Sequence, residues 1–241
     1  MIIKQLEIFN NLALLAKSPV FGDNLTNRKT KPYMSQVPYV EFVVLPIGET
    51  VKGKGSLTRV MSQCCSLSCR FLPKELKPQQ YKDFKGTCNQ SRAVNAWLKQ
   101  VNKLAENQDL IKSIDLKGFQ ARLTSFGDIG RLNNEGLNHI EKIIYNASSH
   151  LAYTASWKDS RLERFKGRFQ ASVGNLGEAM EAYSLGFMPY GLTRQENLKF
   201  RLLTNTPVYA CPYDTTTFKG CSSCEVRCDG QKAISLKEKR L

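Results

Sequence analysis

The cysteines are the residues of this chain whose type and spacing could do chemistry. They form two tight groups on either side of the cysteine-free stretch 89–210: an early group of Cys64, Cys65, Cys69 and Cys88 and a late group of Cys211, Cys221, Cys224 and Cys228. Thiolates a few residues apart can converge on one metal ion or cluster at about 2.3 Å, whereas disulfide frameworks spread their cysteines to staple distant segments. The clustering therefore predicts two metal sites.

The late group has the more specific spacing of the two. It reads C-P-x8-C-x2-C-x3-C and supplies four thiolates, the number that a closed tetrahedral site uses. We predict that these four cysteines share one metal centre, and thiolate ligands alone leave both zinc and iron-sulfur open. Buried free thiols and disulfides are the alternative interpretations. Free cysteines rarely cluster, however, and the stretch from Met1 to Lys17 has no secretory signal, so we expect a cytoplasmic protein.

The composition points to a polyanionic partner. The 241 residues include 35 Lys and Arg against 21 Asp and Glu, a formal charge of +14. Such an excess favours nucleic acid, because each phosphate that is neutralised releases a counterion, although a solvated basic surface without a partner is the plain alternative. A middle run of basic residues is formed by Arg161, Arg164, Lys166 and Arg168. No apolar run approaches the roughly 20 residues that a membrane helix needs, so we expect no membrane partner.

Short apolar strands alternate with helical stretches along the chain. The strand patterns are Tyr39–Pro46, Phe119–Ser125, His150–Ser156, Phe169–Val173, Phe187–Leu192 and Pro207–Ala210. Helical spacing of apolar residues runs from Val94 to Leu104 and from Leu137 to Ala147, and Asn175 is placed to cap a helix that ends near Gly186. This alternation predicts an α/β fold with parallel strands in a full or partial (β/α) barrel. We predict an N-terminal segment over 1–38 and one α/β domain over 39–241, with cysteine loops at 64–88 and 211–228.

The carboxyl ends of parallel strands meet at one edge of a sheet, and chemistry collects in the loops there. Both cysteine groups follow predicted strands, so we expect them at one shared opening. Polar residues near the same strand ends are Ser125, Asp128, Tyr153, Thr154, Ser172 and Asn175. We take Asp128, Tyr153 and Asn175 as candidate catalytic residues. For each there is a structural alternative: Asp128 caps a turn, Tyr153 packs in the core and Asn175 only caps its helix.

The order of motifs allows a family comparison. The motifs are KGKGSLTRV, CCSLSCRF, GTCNQSRAVNAWL, RLTSFGD, YTASW, QASVGN, EAMEAYSLG and the terminal C-P with C-x2-C-x3-C, over about Lys52 to Ile234. This succession resembles an uncharacterised family of small phage- and plasmid-encoded cysteine-motif proteins. Those proteins resemble distant relatives of radical-SAM-type barrels, in which a cysteine loop after the first strand holds a four-iron cluster.

The resemblance implies an iron-sulfur cluster on three early cysteines, with one iron open for S-adenosylmethionine. Cys65, Cys69 and Cys88 would be its ligands, and Cys64 would be spare or would replace Cys65. The chain departs from the usual C-x3-C-x2-C loop, because Cys65 and Cys69 give the first spacing but Cys88 follows a basic insertion. Loop closure costs grow slowly with length, so an insertion weakens the pattern and leaves it possible.

Two functional classes follow from these features. The first is a radical-SAM-like enzyme of a mobile element that acts on nucleic acid or its components. The second is a non-enzymatic zinc protein that binds nucleic acid in replication or regulation. Other chemistries lack their parts, since the chain has two histidines and neither a Walker A nor a Gly-x-Ser-x-Gly motif.

Overall fold

The parallel strands of this chain lie side by side in sequence order except at one end of the sheet, where the last described strand is inserted between the two that precede it. The computed structural model describes residues 6–9, 11–17, 39–51, 54–66, 91–106, 116–211 and 228–235. These residues form nine strands of one sheet in the order β1-β2-β3-β4-β5-β6-β7-β9-β8. The strands are β1 Leu6–Phe9, β2 Leu12–Lys17, β3 Tyr39–Pro46, β4 Gln120–Phe126, β5 Ser149–Thr154, β6 Gln170–Ser172, β7 Met188–Leu192, β8 Val208–Ala210 and β9 Ala233–Ser235.

Helices connect most of the successive parallel strands. They are α1 Lys54–Cys64, α2 Ser91–Glu106, α3 Asn134–Asn146, α4 Leu176–Ser184 and α5 Arg194–Thr204, with 3₁₀ turns at Ile129–Arg131 and Ser160–Phe165. The pairs from β3 to β7 are all parallel, and β9 is parallel to both β7 and β8. Strand β2 pairs antiparallel with β3 on one side and with β1 on the other. The prediction of an α/β fold with a mostly parallel sheet is confirmed.

The two faces of the sheet are packed differently. Connections between neighbouring parallel strands are right-handed in nearly all proteins, so strands in sequence order place their helices on one face. Helix residues such as Ile140, Ala179 and Phe200 accordingly share the main core with Ala152 of β5. Leu151 lies beside Ala152 in the chain and therefore points to the opposite face. There it belongs to a second cluster.

This second cluster, which we call the tyrosine cluster, contains no helix residue among its described members. It consists of Leu151, Tyr153, Tyr190, Cys211, Cys228 and Ile234. All six lie in strands or in the segments next to them. Within the described residues, two late cysteines therefore pack on the side of the sheet opposite the helices.

Two features of the described residues bear on the predicted organisation. Strand β2 pairs with β3 along its whole length, so the residues of 1–38 that the structure describes share the sheet of the following domain. Cys64 is the last residue of helix α1, so the early cysteines begin at a helix end, while 67–90 lie outside the described residues. None of the described helices has the length and apolar character that a membrane crossing requires.

Candidate functional site

The early thiols lie at the end of helix α1, where the chain has returned to the core. Cys64 and Cys65 are 0% and 6% exposed, and the Cys65 N–H donates to the Met61 carbonyl at 2.7 Å. The Cys64 thiol donates back to the Val60 carbonyl of its own helix at 3.2 Å. The Cys65 sulfur instead lies near the Gly127 N–H and the Cys64 thiol. Of the two, Cys65 is therefore the thiol directed at the carboxyl end of β4.

Protonation of Cys65 is governed by these neighbours. Its hydrogen bond with Cys64 and its burial raise the pKa of the Cys65 thiol well above the ordinary value. The charges of Cys64 and Asp128 act in the same direction, while the Gly127 N–H lowers the pKa. The Cys65 thiol is thus neutral near pH 7. A metal cation that bound its sulfur would have to displace the thiol proton.

Gly127 brings the turn after β4 against the early cysteines. Its φ is +79°, and a Cβ there would lie 2.5 Å from the Val44 carbonyl oxygen and 2.7 Å from the Val44 Cβ. Only glycine fits a backbone this close in this conformation. The next residue, Asp128, donates its N–H to the Cys64 carbonyl at 2.8 Å, which joins the turn to the end of α1.

Asp128 braces the ends of two neighbouring strands. Its buried carboxylate accepts hydrogen bonds from the Ala155 N–H at 2.7 Å, the Thr154 hydroxyl at 2.9 Å and the Gly130 N–H at 2.9 Å. Burial raises the pKa of this carboxyl group, and the hydrogen bonds oppose that rise. The bond to Gly130 caps the turn, as the structural interpretation of Asp128 expects. The bonds to Thr154 and Ala155 join the end of β4 to the end of β5.

The residues just before this turn have an unusual backbone that the sequence did not signal. Thr124 has φ of +51°, which is rare for a β-branched residue, and its hydroxyl donates to the Tyr153 carbonyl at 2.7 Å. The β3 and β4 register shifts at the same level of the sheet. The neighbouring Ser125 hydroxyl is buried with no hydrogen-bond partner in the described part of the chain. Strain of this kind persists where the surroundings enforce it, often at functional sites.

The other two candidate residues separate from Asp128. The Tyr153 ring packs on the Tyr190 ring with centroids 4.4 Å apart, inside the tyrosine cluster. Asn175 caps α4, because its side-chain oxygen accepts from the Glu178 N–H at 2.9 Å. Glu178 in turn accepts from the Gly174 N–H at 2.7 Å. The predicted cap at Asn175 is confirmed, whereas Glu178 bonds the N–H of the residue before the cap. A catalytic role for Asp128, Tyr153 or Asn175 stays a prediction.

The two described late cysteines, Cys211 and Cys228, both belong to the tyrosine cluster but lie next to different strands. Cys211 follows the carboxyl end of β8, and Cys228 precedes β9 and accepts the Ala152 N–H through its carbonyl at 3.1 Å. Cys221 and Cys224 lie outside the described residues, as do Cys69 and Cys88. Within the described ranges no three His, Cys, Asp or Glu side chains converge as metal ligands, which tests only two members of each predicted set. The shared centre and the shared opening stay predictions.

A row of buried polar side chains, absent from the sequence-based site, crosses the face that carries the tyrosine cluster. Arg122 of β4 donates to Glu41 of β3 at 2.8 Å, with the two side chains 11% and 1% exposed. Arg122 is in register with Leu151, which places this ion pair on the same face. Gln170 is in register with Tyr153, is fully buried and donates to the Lys232 carbonyl at 2.6 Å. These residues lie 81 and 62 positions from their partners, so no local pattern could have found them.

Comparison of the chain with protein-family models, curated proteins and solved structures found no match.

Proposed function

We propose that the chain is a cysteine-ligated metalloprotein built as a partial, radical-SAM-like (β/α) barrel that acts on nucleic acid or its components. The interior of the barrel would be the face opposite the described helices, which carries the tyrosine cluster and the buried polar side chains. Sequential parallel strands with their helices on one face support this curvature, because such a sheet can bend around its uncovered side.

The observation that carries the proposal is the junction of the buried early cysteines with the turn at the carboxyl end of β4. There the Asp128 N–H donates to the Cys64 carbonyl at 2.8 Å, and the Gly127 N–H lies near the Cys65 sulfur. In iron-sulfur proteins, hydrogen bonds to sulfur adjust the cluster, and parallel sheets concentrate chemistry at this end. Cys65 would hold a cluster together with Cys69 and Cys88, and Cys64 would stay bonded to its helix. When bound, such a cluster supplies an open iron for the amino and carboxyl groups of S-adenosylmethionine and an electron for its cleavage.

The protein groups around Cys65 would position that site. Asp128 fixes the turn that contacts the thiol, and Gly127 lets it approach Val44 closely. Tyr153 would line the interior next to the second centre, which Cys211, Cys221, Cys224 and Cys228 would form. That second site would be structural, since a four-thiolate site has no open position.

Anaerobic purification followed by metal and sulfide analysis tests this function. We expect a brown protein that contains iron and acid-labile sulfide, and reduction in the presence of S-adenosylmethionine should release 5′-deoxyadenosine. A control without reductant should release none. Absence of iron after reconstitution with iron and sulfide would contradict the radical-SAM-like assignment.

The alternative is a zinc protein that binds nucleic acid without catalysis. It is favoured by the packing of Cys211 and Cys228 within an apolar and aromatic cluster, a setting that suits a structural metal. A colourless protein with stoichiometric zinc and no 5′-deoxyadenosine would support this alternative.

A further inference from the structure

An exposed tyrosine lies at the end of the sheet opposite the Cys65 and Asp128 site. Tyr145 is in the last turn of α3, directly before β5, and it is 78% exposed. Arg168 lies directly before β6, the parallel neighbour of β5, and its guanidinium carbon is 5.8 Å from the centre of the Tyr145 ring. The amino ends of β5 and β6 therefore present an aromatic ring together with a cation.

Further basic side chains surround this pair. Lys142 is exposed and stands three residues before Tyr145 on α3, which places it on the same helix face. The Lys166 side chain runs beside Gly186, at the amino end of β7, and meets Glu163 at 3.7 Å. Lys117 precedes the amino end of β4. We call this set of Lys117, Lys142, Tyr145, Lys166 and Arg168 the amino-end rim.

The four basic residues of the run from Arg161 to Arg168 form two pairs, and only the second pair lies at this rim. Arg161 is exposed but its guanidinium is engaged within the protein, since it donates to the carbonyls of Leu132 and Gly130 at 2.9 and 2.8 Å and pairs with Asp159 at 2.6 Å. Arg164 is held by Asn138 at 2.5 Å. These two arginines tie 3₁₀ segments and α3 together. Lys166 and Arg168 remain at the amino ends of the strands, so the positive charge there adds to that of the rim lysines.

We propose that the amino-end rim binds single-stranded nucleic acid, with one base stacked on Tyr145 and the flanking phosphates held by Arg168, Lys142 and Lys166. An aromatic ring inside a basic surface is how proteins hold single strands without reading their sequence, because every base offers a π-face. The proposal rests on the nucleic-acid part of the proposed function and is independent of the metal. Because the rim is opposite the Cys65 site, it acts as a docking surface.

Fluorescence anisotropy with a short labelled oligothymidylate at low salt tests this surface. Tyr145→Ala leaves the net charge unchanged, and we expect it to weaken binding by about 5- to 100-fold, the value of one stacked base. Tyr145→Trp should restore binding. Arg168→Gln should weaken binding and make its salt dependence shallower, because one phosphate contact is lost.

Tyr209→Ala is the matched control. Tyr209 is 38% exposed and carries the Lys232 ammonium 5.2 Å from its ring centre, so it repeats the tyrosine and cation pair on strand β8, outside the five residues that define the rim. We expect this variant to bind as the unaltered protein does. Equal losses in the two alanine variants, or none in Tyr145→Ala, would overturn the proposal. It would equally be overturned if Tyr145 governed binding to anionic lipid vesicles and oligothymidylate did not bind.

Metal content separates this test from that of the proposed function. Tyr145→Ala should keep the metal content, visible spectrum and thermal unfolding of the unaltered protein, because the ring is exposed. A protein without iron that binds oligothymidylate through Tyr145 would contradict the radical-SAM-like assignment and support the rim. A protein with an iron-sulfur cluster and no affinity for the oligonucleotide would support the radical-SAM-like assignment and contradict the rim proposal.

Discussion

Gly127 is the residue on which the approach of the β4 turn to the early cysteines depends. We expect Gly127→Ala to cost more than about 2 kcal/mol of folding free energy, because it adds a backbone clash to the strain of a positive φ. Gly118→Ala is the control, since Gly118 has φ of +86° but open space around the missing Cβ, so it should cost about 1 kcal/mol. Urea unfolding measures both. Equal losses would mean that the contact with Val44 is unimportant.

His150 is a second residue whose surroundings determine a measurable property. Burial lowers the pKa of His150, with Arg168 adding to the effect, while its bond to the Arg168 carbonyl and the charge of Asp229 oppose it. A lowered folded-state pKa gives stability that is present above the unfolded value of about 6.5 and is lost as pH falls through the folded value.

The His150 effect can be isolated by substitution. His150→Gln keeps an N–H donor for the Arg168 carbonyl and removes the titration. We expect the unaltered protein to lose stability relative to this variant as pH falls from about 8 to 5. Urea unfolding of both proteins across that range measures the difference. A difference that does not change with pH would contradict this assignment.

At the scale of elements, β3 and β4 are joined by a buried ion pair as well as by their ladder. We expect Arg122→Met or Glu41→Leu alone to cost about 3–5 kcal/mol, because each removes one charge of a buried ion pair. The double variant should recover at least half of the summed loss, since an apolar pair of similar volume is tolerated there. A double-mutant cycle by urea unfolding measures the coupling. Additive losses would show that the two charges are stabilised independently.

The elements that the sequence predicted are those with a strong local pattern. The six predicted strands lie within two residues of the observed ends, because their apolar runs are bounded by turn residues. The cap at Asn175 was predictable since it depends on residues three apart. Helix α5 was missed because its leucines are exposed and give no buried stripe, yet the capping box of Thr193 and Glu196 marked its start.

The site was less predictable than the fold for a physical reason. Asp128 and Cys65 could be assigned to one end of the sheet from strand order. The backbone of Thr124 and the pairing of Glu41 with Arg122 depend on register between strands that are far apart in sequence. Register is a tertiary property, and a β-branched residue gives no local sign of a positive φ.

At the scale of the whole molecule, β5 connects the two cysteine regions. Thr154 bonds the Asp128 carboxylate beside Cys65, while the preceding residue, Tyr153, packs in the tyrosine cluster with Cys211 and Cys228. Alternate residues of one short strand therefore contribute to both regions. A loss of structure around the late cysteines should consequently disturb the early site through β5. A change at Cys65 should disturb the late cysteines less, because the Asp128 carboxylate would still accept its three hydrogen bonds and hold the end of β5.

The two proposed centres should respond differently to removal of one ligand. Cys224→Ser should lower the thermal midpoint and the metal content together, because a closed four-thiolate site contributes its binding free energy, about 10–16 kcal/mol for zinc peptides, to folding. Cys65→Ser should abolish the visible spectrum and the release of 5′-deoxyadenosine while the fold survives.

Cys64→Ser is the control within the early group, because a serine hydroxyl can keep the bond that the Cys64 thiol makes to the Val60 carbonyl. We expect it to retain the spectrum. Calorimetry, metal analysis and absorption spectra of the three variants measure these outcomes. If Cys64→Ser lost the cluster and Cys65→Ser kept it, the ligand would be Cys64. If Cys224→Ser left the midpoint and metal content unchanged, the late cysteines would not form a structural centre.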